Sequence, residues 1–137
     1  LTISHLIFSG TLDRFPTLRW GFFEAGVGWV PFTMNRLDIY YFNHLRRPDP
    51  GLAAKLLRKP SDYFDRFYVA VHSKESYLDT LTKTVPDHQF IIGSDFPHGD
   101  PNGTWPDTLS DLRAHGTLSL KERSRILEEN PRRFFGL

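Results

Sequence analysis

The chain has 137 residues, a length that suits one domain with its own hydrophobic core. Apolar residues make up 39% of it, charged residues make up 24%, and the formal net charge is +1. This composition excludes a disordered chain and gives no general attraction to nucleic acid or to anionic membranes. Cysteine is absent, which excludes disulfides and thiolate ligands and leaves His, Asp, Glu and Lys for any metal chemistry.

No apolar run approaches the roughly 20 residues that a membrane-spanning helix needs. No secretory leader pattern is present at the start of the sequence, so a cytoplasmic protein is expected. Because Leu1 is not preceded by a methionine, the chain is expected to begin at an internal cut.

Helical and strand patterns alternate along the chain, as is typical of β/α units around a parallel sheet. A helix is predicted over residues 2–11, ending near Asp13 ahead of a helix-breaking Phe-Pro pair. A strand over residues 18–23 leads into a loop over residues 24–28. The next helix, of about three turns, has Pro31 in its first turn. Side chains at helical spacing that are expected to face inward from it are Val30, Met34, Leu37 and Tyr41.

A polar connection over residues 46–60, with a short helix expected at 52–57, leads to the second predicted strand, residues 67–71. The helix after this strand is predicted over residues 74–83, with Ser73 as its N-cap. Its inward-facing side chains are expected to be Tyr77, Leu78 and Leu81.

The third strand is predicted over residues 89–92, and a long loop follows over residues 98–103. The helix after that loop is expected to bury Leu109 and Leu112. Ser119 and Glu122 form a capping-box pattern at the start of the last long helix. A final helical turn is predicted to begin at Asn130.

Residues 93–98, with the sequence Gly-Ser-Asp-Phe-Pro-His, directly follow the third predicted strand. Asp95 and His98 are three residues apart, just past the carboxyl end of a buried strand, where such side chains suit metal ligation or proton transfer. Gly93 and Pro97 restrict the conformation of the turn. The structural alternative is that Asp95 shapes the turn and that His98 hydrogen-bonds to loop backbone.

Four stretches, residues 10–18, 24–38, 93–98 and 130–136, resemble the amidohydrolase-related family in motif and in order. This family comprises metal-dependent TIM-barrel enzymes, among them aminocarboxymuconate-semialdehyde decarboxylase. The resemblance implies an α/β fold in which residues 1–137 are the C-terminal portion of a single domain. The chain would supply the last three β/α units of a (β/α)8 TIM barrel.

The resemblance also implies roles for individual residues. Asp95 matches the family's strand-eight aspartate, a metal ligand or a catalytic acid-base, and His98 matches the histidine that orients the same site. Glu24 stands where decarboxylases of the family usually carry a histidine, so it is a candidate base or supporting carboxylate, or else a solvated loop residue. His72, at the end of the second strand, is a further candidate. The family's His-x-His pair has no counterpart in this sequence.

The expected activity of the parent protein is hydrolysis of a small organic substrate by a water activated on a divalent metal, with zinc expected first and manganese or iron as alternatives. One rival is a non-oxidative decarboxylase or hydratase of an aromatic or unsaturated carboxylic acid. Another is a non-catalytic half-barrel. Open sheet edges predict pairing with the missing N-terminal barrel segment or with a second copy, so a homo-oligomer is expected and the 137-residue chain alone is expected to be inactive.

Overall fold

Three parallel strands form the sheet at the centre of the described structure: Trp20–Phe22 (β1), Phe67–Val71 (β2) and Phe90–Ile92 (β3). They are hydrogen-bonded in the order β1-β2-β3. The computed structural model describes residues 2–48, 56–85, 90–100 and 103–137, and for residues 99–100 and 103–104 it describes the backbone only. The three predicted strands are present, but β1 is shorter than the predicted 18–23, and Gln89 of the third lies outside the described residues.

Helices surround this sheet and connect its strands. In chain order they are Thr2–Phe8 (α1), Thr11–Arg14 (α2), Trp29–Arg46 (α3), a 3₁₀ helix at Pro60–Arg66, Leu78–Thr84 (α4), Thr108–Arg113 (α5), Leu120–Ser124 (α6) and Asn130–Phe135 (α7). A π-helical segment, Arg125–Glu129, joins α6 to α7. None of the helices in the described part of the chain is both long and apolar enough to cross a membrane.

Helix α3 forms where the sequence places apolar residues at helical spacing. Val30 and Leu37 are buried in the core, and Pro31 occupies the first turn, where its missing N–H costs nothing. The helix has 18 residues and is longer than the predicted three turns. The predicted first helix is instead divided into α1 and α2, because Gly10 takes a left-handed conformation with φ of 69°.

Strand β2 is buried on both faces, as expected for a central strand of a parallel sheet. Phe67, Val69 and Val71 pack into the larger core that the sheet shares with the helices. Tyr68 and Ala70 face the other side, where they pack with Ile91 and with Phe134 of α7. The continuous apolar run of this strand therefore supplies two separate cores.

Polar contacts at positions that the sequence predicted hold the C-terminal helices in place. The predicted capping box is confirmed: Ser119 accepts a hydrogen bond from the Glu122 amide, and the Glu122 carboxylate accepts one from the Ser119 amide. The predicted helical turn at Asn130 is confirmed as the start of α7. The buried Asn130 side chain donates to the Phe90 carbonyl over 2.7 Å, which ties this helix to β3.

The predicted start of α4 is wrong. Ser73 is buried, its hydroxyl has no hydrogen-bond partner among the described residues, and the helix begins only at Leu78. The chain first makes a turn in which the Glu75 amide donates to the His72 carbonyl, and Tyr77 then takes a left-handed conformation. Tyr77 is consequently 78% exposed and does not face inward, whereas the predicted burial of Leu78 and Leu81 is confirmed.

Two further expectations change in the segment after β3. The predicted loop over residues 98–103 contains a short antiparallel pairing of Gly99–Asp100 (β4) with Gly103–Thr104 (β5). Leu112 is buried as predicted, but Leu109 is 45% exposed, because the short helix α5 buries Thr108 and Leu112, four residues apart on one side. The short helix expected at 52–57 falls largely on residues 51–55, which lie outside the described structure.

Candidate functional site

Four of the polar residues singled out in the sequence lie together at the carboxyl end of the sheet. Glu24 follows β1, His72 follows β2, and Asp95 and His98 follow β3. The carboxyl ends of parallel strands meet at one edge, which is where α/β folds place their ligand sites. Asp95, His72 and His98 all lie close enough to act electrostatically on the Glu24 carboxyl group.

The two carboxyl groups of the site lie close to each other, and a hydrogen bond between their side chains is one cause of a raised pKa at Glu24. Glu24 and Asp95 share this contact through their side chains, which requires a proton between the two acids. The Asp95 side chain is 23% exposed, whereas Glu24 is largely exposed to solvent.

Both acidic residues also have an unusual backbone conformation. Glu24 has a φ of 62° and Asp95 a φ of 53°, in the left-handed region that side chains other than glycine rarely adopt. Such conformations cost about 1–3 kcal/mol each and are found preferentially at functional sites. Aspartate tolerates this region better than glutamate, so the strain at Glu24 is the more informative of the two.

His98 lies beside Asp95 at the rim of the site. Its Nδ1 is 3.5 Å from Asp95 Oδ1, and its backbone N–H donates to the Asp95 carbonyl over 2.7 Å. The imidazole side chain is 76% exposed. The geometry brings His98 to Asp95, as predicted, but on the solvent side of the turn.

Partial desolvation, the hydrogen bond to Asp95 and the negative charge of Asp95 raise the pKa of Glu24 above its ordinary value of 4.5. The positive charges that His72 and His98 carry when protonated act in the opposite direction. Glu24 therefore holds its proton to a higher pH than a fully solvated glutamate does.

This shift gives a pH-dependent prediction. We expect the Glu24 carboxyl carbon to titrate with a midpoint above 4.5 in ¹³C NMR spectra. Because the folded-state pKa is raised, the stabilisation from the shared proton is present below pH 4.5 and is lost as the pH rises through the raised pKa. Asp95→Asn should lower the midpoint only in part, since desolvation is the largest cause and remains. Asp107→Asn is the control, and an unshifted Glu24 midpoint in the wild type would contradict the shared proton.

The sequence analysis missed Glu75, which also reaches this edge of the sheet. Its Oε1 accepts hydrogen bonds from the Val27 amide at 2.6 Å and from the Gly28 amide at 3.1 Å. Its Oε2 accepts a weaker one from the His72 amide at 3.5 Å. The predicted helix over residues 74–83 hid this role, because it placed Glu75 inside a helix. The signal that could have found Glu75 is that α3 starts without a capping side chain, so an acidic residue from a nearby turn can bind the backbone there.

The donor set for a metal is only partly present. Asp95 supplies a carboxylate with an imidazole nearby, which suits one ligand of a catalytic zinc site that typically has about three protein ligands. Among the residues that the structure describes, no three His, Asp or Glu side chains are arranged to hold a metal ion. The described residues alone therefore do not make up such a site.

Comparisons with known proteins identify the family and the fold of the chain. A protein-family model described as Amidohydrolase matches residues 1–137. One similar solved structure is an amidohydrolase from Mycobacterium avium subsp. paratuberculosis K-10, with a TM-score of 0.77 at 19% identity over 99% of this chain and 32% of that one. Another is a 2,6-dihydroxybenzoate decarboxylase complexed with 2,6-dihydroxybenzoate, with a TM-score of 0.69 at 22% identity over 98% of this chain and 40% of that one. No curated protein matches.

Proposed function

The chain belongs to the amidohydrolase family, and we propose that it supplies the last three β/α units of a (β/α)8 barrel in a metal-dependent hydrolase of small organic substrates. It spans about a third of one similar solved structure and two fifths of the other. The observation that carries the proposal is the placement of Glu24, His72 and Asp95 after three adjacent strands, at the carboxyl edge of a parallel sheet.

The described sheet supports an incomplete barrel. Strands β1 and β3 each pair with β2 alone, so among the described residues each keeps one unpaired edge. Unpaired edges favour association with further strands, and a barrel removes them by closing on itself. We therefore propose that the remaining strands of the parent protein cover these edges, with a second copy of the chain as the alternative cover. The homo-oligomer remains a prediction.

Asp95 and Glu24 divide the proposed chemistry between them. A divalent metal with Asp95 among its ligands would supply a water of pKa near 7 as the nucleophile. Glu24, whose pKa is raised above 4.5, would be the acid-base group that takes up a proton at the site and delivers it to the leaving group. His98 holds the Asp95 carboxylate in place, and His72 adds a titratable group next to Glu24.

The decarboxylase reading is the second candidate, since one similar structure is a decarboxylase. Its 22% identity supports a shared fold and does not carry the reaction across. In this chain Glu24 replaces the histidine usual in decarboxylases of the family, which favours hydrolysis.

One set of assays distinguishes the hydrolase, the decarboxylase and the non-catalytic half-barrel. The full-length protein, loaded in turn with zinc, manganese or iron, should hydrolyse at least one member of a panel of lactones, amides and esters of small organic acids. Release of carbon dioxide from aromatic or unsaturated acids without a hydrolysed product would establish the decarboxylase instead. Absence of bound metal after loading, measured by elemental analysis, would favour the non-catalytic half-barrel.

A further inference from the structure

The loop that carries Glu24 is held at its far end by a residue from another loop. Helix α3 begins after Gly28, whose missing side chain leaves the first N–H groups of an 18-residue helix without a local cap. The Glu75 carboxylate, 47 and 48 residues further along the chain, accepts from the Gly28 and Val27 amides. A negative charge at this helix end is also favoured by the helix dipole.

Glu75 is itself fixed to the strand that carries His72. Its own amide donates to the His72 carbonyl over 3.2 Å, and its Oε2 accepts from the His72 amide. The side chain therefore bridges the loop after β1 and the turn after β2. Glu24 and Val27 are only three positions apart in the sequence, so a bond at Val27 restricts where Glu24 can lie.

Gly26 shows how closely the loop wraps this carboxylate. Its φ is +60°, and a Cβ added there would lie 2.9 Å from Glu75 Oε1. A side chain at position 26 would push the carboxylate off its two amide donors. The loop after β1 thus packs closely against the carboxylate of Glu75, which is distant in the sequence.

We infer that Glu75 is a positioning residue, which sets the Glu24 carboxyl group against Asp95 by clamping the loop after β1 to the turn after β2. This inference rests on the proposed function only in treating Glu24 and Asp95 as the site. It concerns their relative placement, which can be measured without a substrate.

The test uses amide hydrogen exchange and carboxyl ¹³C shifts of the full-length protein at one fixed pH. Glu75→Ala should speed exchange of the Val27 and Gly28 amides about tenfold and move the carboxyl shifts of Glu24 and Asp95. Glu75→Gln keeps an Oε1 acceptor for both amides and should restore most of both properties. Glu75→Asp keeps the charge but is one methylene too short, so it should behave like alanine and excludes a purely electrostatic role.

Glu122→Ala is the matched control, because Glu122 also caps a helix start but contacts Ser119 and Thr82 in place of the site loops. It should speed exchange near Ser119 and leave the Glu24 and Asp95 shifts unchanged. Faster exchange at Val27 and Gly28 with unmoved carboxyl shifts in the Glu75 variants would overturn the inference and leave a structural cap. If Glu75→Ala does not fold, Glu75→Asp and Gly26→Ala carry the same test, and both should move the Glu24 shift.

Discussion

The Phe67→Ala variant is expected to lower the free energy of unfolding by about 3–5 kcal/mol, because it empties the centre of the larger core. Phe67 is 1% exposed and opens the central strand β2. Its ring makes edge contacts with Phe22 and Phe64, at centroid distances of 5.3 and 5.4 Å. Since domains are typically stable by only about 5–15 kcal/mol, this loss is a large share of the total. Equilibrium urea unfolding measures it.

Phe32→Ala is the matched control for that experiment, since it removes the same atoms from a side chain that is 68% exposed. It should change the unfolding free energy by less than about 0.5 kcal/mol. Phe67→Leu should recover part of the loss because it refills some of the cavity. Equal effects of the two alanine substitutions would show that β2 is not the centre of the core.

The strands were predictable because of where they lie. A parallel strand covered on both faces needs apolar residues at every position, and residues 67–71 meet that requirement without interruption. The C-terminal capping box was predictable for a similar reason, since both partners lie within one helical turn. Local signals of this kind depend on neighbouring residues in the sequence and do not depend on distant contacts in the fold.

The start of α4 was not predictable, because a distant contact overrides the local signal. Ser73 has the chemistry of an N-cap, but the structure buries it, and the Glu75 carboxylate binds the Val27 and Gly28 amides just before α3. A capping bond between residues 47 or 48 positions apart leaves no periodic trace in the sequence. The same limit applies to the candidate site. Strand order predicts that Glu24 and Asp95 share an edge, whereas their hydrogen bond and left-handed backbone emerge only in three dimensions.

Asp95→Asn is expected to lower kcat of the full-length protein by roughly 100- to 10,000-fold, because the proposed proton transfer by Glu24 loses the neighbouring carboxylate on which it depends. Asparagine keeps the size of the side chain and tolerates the left-handed φ of 53°, so the turn should be retained. What it loses is the negative charge, and with that both the proposed metal ligand and the partner of the Glu24 proton.

Three measurements on this variant distinguish a chemical role from a structural one. Circular dichroism and the unfolding midpoint should stay near wild type, while the bound metal, measured by elemental analysis, should fall below one equivalent. Asp107→Asn, a carboxylate at the start of α5, should leave kcat and metal content unchanged. An Asp95→Asn protein with wild-type kcat and full metal content would reduce residue 95 to a turn former. Asp95 would then take no part in catalysis, and the proposed hydrolase would have to be abandoned.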